Sequence, residues 1–312
     1  MCRDIEAFFL FLGKIEHMRT AFIPCLLAIF MLNGCKQPAE SPGDQFEYEE
    51  LNTSEKEIAE VLYSMYLPTD MVDIFERSGT NFDPDVPAPL DDITLYQDPE
   101  QLAVMLGIYG VDIAYMKLLG QTQAAAVYYG AIETLSGRLG IPEEIFLESS
   151  SRLEEYFNHQ DSLVSVIENI YRETDQFFRE NGRENLAALS LVGGWLEAMY
   201  IGVNIFEADS GNQVMAERIL QQKFSLNSIY VILSNHQESL SVKKTLLMLR
   251  KLRKTFEDVE IKFQKEGFSV DTTQKKIQTY NAQIRYDRQT MQDLVSTIPQ
   301  VRQELIRVNV NE

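Results

Sequence analysis

Two stretches, Leu102–Met116 (LAVMLGIYGVDIAYM) and Leu186–Phe206 (LAALSLVGGWLEAMYIGVNIF), decide the fold that the sequence predicts. Each is apolar on every face of a helix and contains a single charged residue, Asp112 in the first and Glu197 in the second. A helix that lacks a polar face is normally buried on every side. The two stretches therefore predict core helices.

The chain around these stretches is also predicted to be helical. Asp98-Pro99 is a strong helix start, because aspartate caps the first turn and proline fits its first position. No convincing alternation of polar and apolar residues indicates a strand. From residue 98 onward we predict helices over 98–119, 121–139, 143–157, 161–181, 184–207, 212–234, 240–265, 271–282 and 286–307. The predicted fold class is all-α, an array or bundle of antiparallel helices.

Three pairs of similar stretches raise the alternative of a duplicated helical unit. They are Asp112–Tyr115 with Glu197–Tyr200, Phe177–Gly182 with Lys262–Gly267, and Asn158–Leu163 with Asn235–Leu240. The first two pairs are each 85 residues apart and the third is 77 apart. The difference corresponds to about two helical turns, so a longer helix in one copy would account for it.

The N-terminal segment predicts the cellular location of the protein. Ala21–Leu32 is uncharged and too short to span a bilayer, but it matches the apolar region of a secretory signal. Leu32-Asn33-Gly34-Cys35 resembles a lipobox, the site at which bacterial lipoprotein signals are cut and acylated. The resemblance implies cleavage between Gly34 and Cys35 and lipid on Cys35. Acidic residues near the N-terminus suit a leader poorly, so a start at Met18 is an alternative.

These features divide the chain into three parts. Residues 1–34 are the predicted signal peptide, 35–52 the lipidated cysteine with a polar tether, and 53–312 a helical domain. Lys36 stands where an aspartate commonly retains lipoproteins in the inner membrane, so we expect an outer-membrane anchor. All three cysteines precede residue 36. The helical domain therefore has no disulfide or cysteine-based site.

The charge of the chain is strongly negative and unevenly distributed. The net charge is −19, and residues 36–116 hold 3 basic against 18 acidic side chains. Residues 243–307 hold 14 basic against 8 acidic side chains. The acidic part argues against nucleic-acid binding, which needs a positive surface. The basic third could face an acidic partner, such as an envelope protein, or the acidic end of the same molecule.

Asp112 and Glu197 are the residues that most invite a functional interpretation. A buried carboxylate must be paired, hydrogen-bonded or protonated. One interpretation is a ligand or metal site in a tyrosine-lined groove, and the other is a core aspartate held by a tyrosine hydroxyl or by an arginine such as Arg172 or Arg183. The candidate ligand-binding residues are Asp112, Tyr115, Glu197 and Tyr200.

Glu197 also shares one helix face with Ser190 and Asn204, which lie seven residues to either side. Such a polar stripe suggests a hydrated contact between helices or one wall of a groove. The surrounding stretch is long enough to cross a membrane. Glu197 would cost about 2.5–3.5 kcal/mol at the bilayer centre, which favours a core helix.

Other chemistry has weaker support in the sequence. Asn81–Gln97 contains three prolines and is predicted to be a long loop on the surface. Its acids lack the spacing of a calcium-binding EF-hand loop; they are Asp83, Asp85, Asp91 and Asp92. The zinc, serine-hydrolase, phosphate-loop and dinucleotide motifs are absent from the sequence. We therefore predict no catalytic residue, no metal site and no cofactor, which leans against an enzyme.

The lipobox, the acidic tether and the stretches LGIYGVDIAY and GGWLEAMYIG together resemble uncharacterised all-helical lipoproteins of Bacteroidetes-type bacteria, a group without assigned activity. The resemblance covers most of residues 35–310. The leading hypothesis is a membrane-anchored envelope lipoprotein with a non-enzymatic binding or scaffold domain. One alternative is a periplasmic small-molecule or metal-binding protein that uses Asp112 and Glu197. Another is an envelope hydrolase, which would need a carboxylate pair beside a histidine in an open cleft.

Overall fold

The computed structural model describes residues 81–91, 93–145, 160–209, 212–264 and 281–307. The predicted signal peptide, Cys35, the tether, Asp92 and most of the helix predicted over 143–157 lie outside these residues. The described part of the chain forms a bundle of seven helices with one two-stranded sheet, so the all-α prediction is confirmed. The elements are α1 Pro99–Leu118, α2 Thr122–Leu139, α3 Gln160–Glu180, α4 Glu184–Ala208, α5 Gln213–Ser234, α6 Leu240–Thr255, β1 Glu260–Gln264, β2 Asn281–Arg285 and α7 Arg288–Ile306.

The helix ends follow local sequence signals. Asp98 caps α1 by accepting a hydrogen bond from the backbone N–H of Glu100 over 3.1 Å. Gly120, Gly140 and Gly182 follow the first three helices with φ of 75°, 70° and 67°. This left-handed conformation ends a helix, and glycine adopts it without a steric penalty. The predicted breaks at these glycines are confirmed.

The sheet corrects two predicted helices. The helix predicted over 240–265 ends at Thr255, and the one predicted over 271–282 overlaps strand β2. β1 and β2 pair antiparallel, with Ile261 opposite Ile284. Lys262 therefore lies in a strand, so the second pair of similar stretches does not mark two equivalent helix ends.

Helices α1 and α4 form the centre of the bundle and share its largest interface. The amide of Asn185 donates to Glu100 Oε1 over 2.9 Å near one end, and Asp112 lies beside Glu197 farther along. Residue numbers rise together along both helices, so the pair runs parallel, and these facing residues are 85 apart. The first pair of similar stretches therefore lies side by side at the centre of the bundle, and the duplicated unit stays a prediction.

Glycines allow the two central helices to touch through their backbones. A Cβ at Gly107 would overlap the carbonyl oxygen of Ser190, and a Cβ at Gly193 would overlap that of Val104. Glycine is needed at both positions, because any side chain there would push the two backbones apart. Trp195 fills the core beside this contact and donates its indole N–H to Gln222 of α5 over 3.0 Å.

Both α1 and α4 are also long and apolar enough to cross a membrane, a test that core helices of soluble proteins pass as well. In each helix 89% of the most apolar window is buried inside the protein. Their apolar surfaces are covered by the other helices, as expected for the centre of a bundle.

Candidate functional site: a buried Asp–Glu–Arg cluster

The fold brings together the only charged residues of the two apolar stretches. Asp112 on α1 and Glu197 on α4 are both completely buried, and their carboxyl groups interact directly. Binding of a ligand at Asp112 and Glu197, the alternative considered from the sequence, requires the two side chains to converge, and they do. Their surroundings decide whether the pair can bind anything else.

Arg302 of α7 supplies the countercharge. Its Nε donates to Glu197 Oε2 and its Nη2 to Glu197 Oε1, each over 2.6 Å. The arginine side chain is only 9% exposed, and its guanidinium lies 4.0 Å from the centre of the Tyr200 ring. This bidentate pair, with an aromatic face beside it, satisfies the Glu197 carboxylate inside the protein.

The two arginines predicted as partners of Asp112 are used elsewhere. Arg172 donates to the side chain of Asn169 over 2.8 Å, and Arg183 donates to the carbonyl of Leu139 over 2.6 Å. The hydrogen bond that Asp112 accepts comes from the backbone of Ala88, and the arginine of the cluster, Arg302, pairs with Glu197 instead. Arg302 lies four residues after Ile298 on the apolar face of α7, and a cation at that position was the signal available in the sequence.

Asp112 is satisfied in a different way from Glu197. Its Oδ2 accepts the backbone N–H of Ala88 over 3.0 Å, while Oδ1 has no donor among the described residues. Burial raises the pKa of Asp112 well above its usual value, the neighbouring Glu197 raises it further, and Arg302 lowers it only in part. The raised pKa favours the protonated form of Asp112, which would supply a donor beside the Glu197 carboxylate and leave the cluster without net charge.

The cluster forms hydrogen bonds with a segment that precedes α1. In Val86-Pro87-Ala88-Pro89 the first three residues enter the core, where Ala88 is completely buried, and Pro89 is exposed. Arg302 donates to the Val86 carbonyl over 3.2 Å, Tyr128 to the Ala88 carbonyl over 2.7 Å, and Tyr109 to the Pro89 carbonyl over 3.0 Å. The flanking prolines have no N–H, so Asp112 accepts the one N–H of this segment that lies between them. The prediction that the whole segment crosses the surface is wrong here.

The tyrosines support the same arrangement. Tyr115 accepts the backbone N–H of Asp83 over 3.2 Å and packs its ring against Phe82 at 5.6 Å. Burial, and then Asp112, raises the pKa of Tyr128, so its hydroxyl stays protonated and donates to the segment. Of the four predicted ligand-binding residues, Asp112, Glu197 and Tyr200 share the cluster, whereas Tyr115 holds the start of the segment.

The described residues bear on two other kinds of site considered from the sequence, a metal site and a hydrolase site. No group of three or more histidine, cysteine, aspartate or glutamate side chains is placed to hold a metal ion in that part of the chain. His236 follows α5, close to Ser239, whose hydroxyl donates to Glu100 over 2.6 Å. Glu100 precedes Asp112 by twelve residues on α1, a separation of about 18 Å along a helix. The fold therefore does not place His236 beside the buried carboxylates.

Comparison with known proteins gives no relative, since no protein-family model, curated protein or solved structure matches this chain. The resemblance to helical envelope lipoproteins remains an expectation from the sequence. The cluster is a closed, internally paired set of charges that ties α1, α4 and α7 to the segment before α1.

Proposed function

We propose that this chain is a lipid-anchored protein of the cell envelope whose helical domain binds a partner protein and performs no catalysis. The observation that carries the proposal is the internal use of Asp112 and Glu197, the strongest candidate ligand-binding groups. Both carboxyl groups are fully buried, and their partners are Arg302 and the backbone of Ala88. Recognition is then left to surface side chains, which suits a protein partner better than a small ligand.

The anchor rests on the lipobox and has a direct test. Cells expressing the chain are labelled with radioactive palmitate, and the protein is recovered from the membrane fraction. We expect label on the wild type and none on Cys35→Ala, because only a cysteine sulfur at the lipobox position carries the diacylglycerol. Cys25→Ala is the matched control and should keep its label. Label retained by Cys35→Ala would contradict the proposed anchor.

The second candidate function is binding of a small molecule or metal ion at Asp112 and Glu197. The observation in its favour is Oδ1 of Asp112, which is buried without a donor among the described residues. A metal ion would have to displace both the proton on Asp112 and the guanidinium that holds Glu197. Metal binding would thus give up the hydrogen bonds from Arg302 to Glu197, which favours the first candidate.

Asp112→Asn tests the buried carboxyl group through the pH dependence of stability. The pKa of Asp112 is raised in the folded state above its ordinary value of 3.8. Its contribution to stability is therefore complete below that value and declines as pH rises towards the folded pKa. Asparagine stays neutral, accepts from Ala88 and donates to Glu197. We expect the unfolding free energy of the variant, relative to wild type, to increase between pH 5 and pH 8.

The measurement is chemical unfolding of the full chain in nonionic detergent across this pH range. Asp112→Ala is the control, because it loses the hydrogen bond to Ala88 and should be less stable than wild type at every pH. Thermal melts with chelator and then with calcium, magnesium or zinc complete the test. A ligand at 100 times its dissociation constant stabilises by about 2.7 kcal/mol. An increase in Tm that Asp112→Asn abolishes would support the second candidate and contradict a purely structural cluster.

A further inference from the structure

Helix α6 has a composition that its own stability does not explain. Leu240–Thr255 carries six basic side chains and no carboxylate, in a chain whose net charge is −19. Like charges three or four residues apart on a helix repel one another. The helix dipole favours Arg253 and Lys254 in the last turn, but it disfavours Lys243 and Lys244 near the first. The concentration of positive charge therefore calls for an explanation outside the helix.

A groove between α5 and α6 collects most of this charge. It has a volume of about 660 Å³, and its apolar lining includes Leu226 and Phe256, which are buried, and Leu247, which is 57% exposed. Its basic lining residues are Lys223, Arg250, Lys251, Arg253 and Lys254. Among the described residues that line the groove, Glu257 is the one with an acidic side chain. The surface is thus apolar and strongly positive at the same place.

Two arginines of the groove are held in position without a carboxylate. Arg253 donates from Nε to Asn227 over 3.1 Å, and its guanidinium lies 4.4 Å from the centre of the Tyr230 ring. Arg250 donates from Nη2 to the Tyr230 hydroxyl over 3.4 Å. Within the described residues neither arginine forms a salt bridge, whereas Lys251 pairs with Glu304 over 3.2 Å. The remaining N–H groups of both arginines are available to carboxylates. Because the two side chains are already held in position, they lose less conformational freedom on binding.

We propose that this groove, lined by Arg250, Arg253 and the exposed Leu247, binds an acidic amphipathic segment of a partner protein in the cell envelope. Carboxylates of the segment contact the two guanidinium groups, and an apolar side chain covers Leu247. The concave shape suits a peptide segment laid between two helices, whereas a bilayer presents a flat surface. This inference rests on the proposed function and specifies the chemistry of its partner.

The test is binding of a synthetic peptide to the full chain in nonionic detergent. The probe is a fluorescent 18-residue helical peptide with leucines on one face and glutamates on both flanks, and its matched counterpart has glutamine at every glutamate. We expect the acidic peptide to bind and the glutamine peptide to bind at least about tenfold more weakly, since charge-assisted hydrogen bonds provide the specificity. Arg250→Gln/Arg253→Gln should weaken binding of the acidic peptide by a similar factor.

The control variant is Lys243→Gln/Lys244→Gln, which removes the same charge from the same helix at its other end. Lys244 lines a different cavity, together with Glu100 and Glu304. We expect this variant to retain binding within about twofold, because distant surface charges are screened by salt. Equal weakening by both double variants, or no binding of the peptide, would overturn the inference. All four substituted residues are exposed, and thermal melts should confirm that both variants remain folded.

Two competition experiments identify the class of occupant. Mixed micelles that contain phosphatidylglycerol, or free glutamate at the same carboxylate concentration, are added to the bound peptide. Displacement by the anionic micelles at matched charge would assign the groove to lipid headgroups, and displacement by glutamate would assign it to small carboxylates. Either result overturns the peptide inference. Palmitate labelling at Cys35 is independent of both, so failure of the groove inference can be told apart from failure of the anchor.

Discussion

Gly107→Ala is expected to destabilise the protein by about 3 kcal/mol, because it forces the two central helices apart. The new Cβ would overlap the carbonyl oxygen of Ser190 and lie 2.8 Å from the backbone nitrogen of Gly194. Both neighbours are backbone atoms of α4, so no side-chain rotation relieves the clash. Any separation of the helices also disturbs the contact between Asp112 and Glu197, which depends on the same interface.

Gly130→Ala is the matched control and should change stability in the opposite direction. Gly130 is exposed in α2, and a Cβ there meets nothing within 4 Å. Alanine is favoured over glycine in a helix interior by about 1 kcal/mol, so this variant should be more stable than wild type. Denaturant unfolding of both variants gives the comparison. A Gly107→Ala protein as stable as wild type would contradict the backbone contact between α1 and α4 at this residue.

The features predicted correctly from the sequence are those specified by neighbouring residues. Asp98-Pro99 begins α1, and Gly140 and Gly182 follow the ends of α2 and α3, because capping and left-handed backbone are properties of a few consecutive residues. The burial of Asp112 and Glu197 also followed from local composition. Each lies in a stretch so apolar that any fold of the chain would cover it.

The features that were missed depend on residues far apart in the chain. Arg302 is 105 residues from Glu197 and 216 residues from Val86, so no local pattern pairs them. The strands each contain five residues, and β1 has its partner about twenty residues later. In so short a segment, the alternation of Val259 and Ile261 is too brief to distinguish a strand from the end of a helix. Long-range pairing thus decided both the site and the sheet.

Arg302→Met is expected to have the largest effect of any single substitution considered, a loss of about 3–5 kcal/mol. Methionine matches much of the volume but removes the guanidinium, which leaves the Glu197 carboxylate buried without its countercharge. The Val86 carbonyl loses its donor at the same time. The pKa of Arg302, which burial alone would lower, is raised by Glu197 and Asp112, so the wild-type side chain stays charged at every pH used for unfolding.

Arg179→Met is the matched control, because it breaks an arginine–carboxylate pair that also has two hydrogen bonds but is exposed to solvent. Arg179 contacts Asp175 through two hydrogen bonds of 2.6 and 3.1 Å, but the two side chains are 55% and 45% exposed. Exposed pairs of this kind contribute at most about 1 kcal/mol, so this variant should remain close to wild type. Equal losses from the two substitutions would show that burial does not determine the effect.

The double variant Glu197→Leu/Arg302→Met separates the cost of an unpaired charge from the loss of the ion pair itself. Replacing a whole buried pair by apolar residues of similar size is often nearly neutral, whereas removing one partner is strongly destabilising. We therefore expect the double variant to be more stable than Arg302→Met alone, with a coupling energy of about 2 kcal/mol in a double-mutant cycle. Additive losses would mean that Arg302 acts mainly through its hydrogen bond to the Val86 carbonyl, so the segment before α1 rather than Glu197 would account for the effect of the substitution.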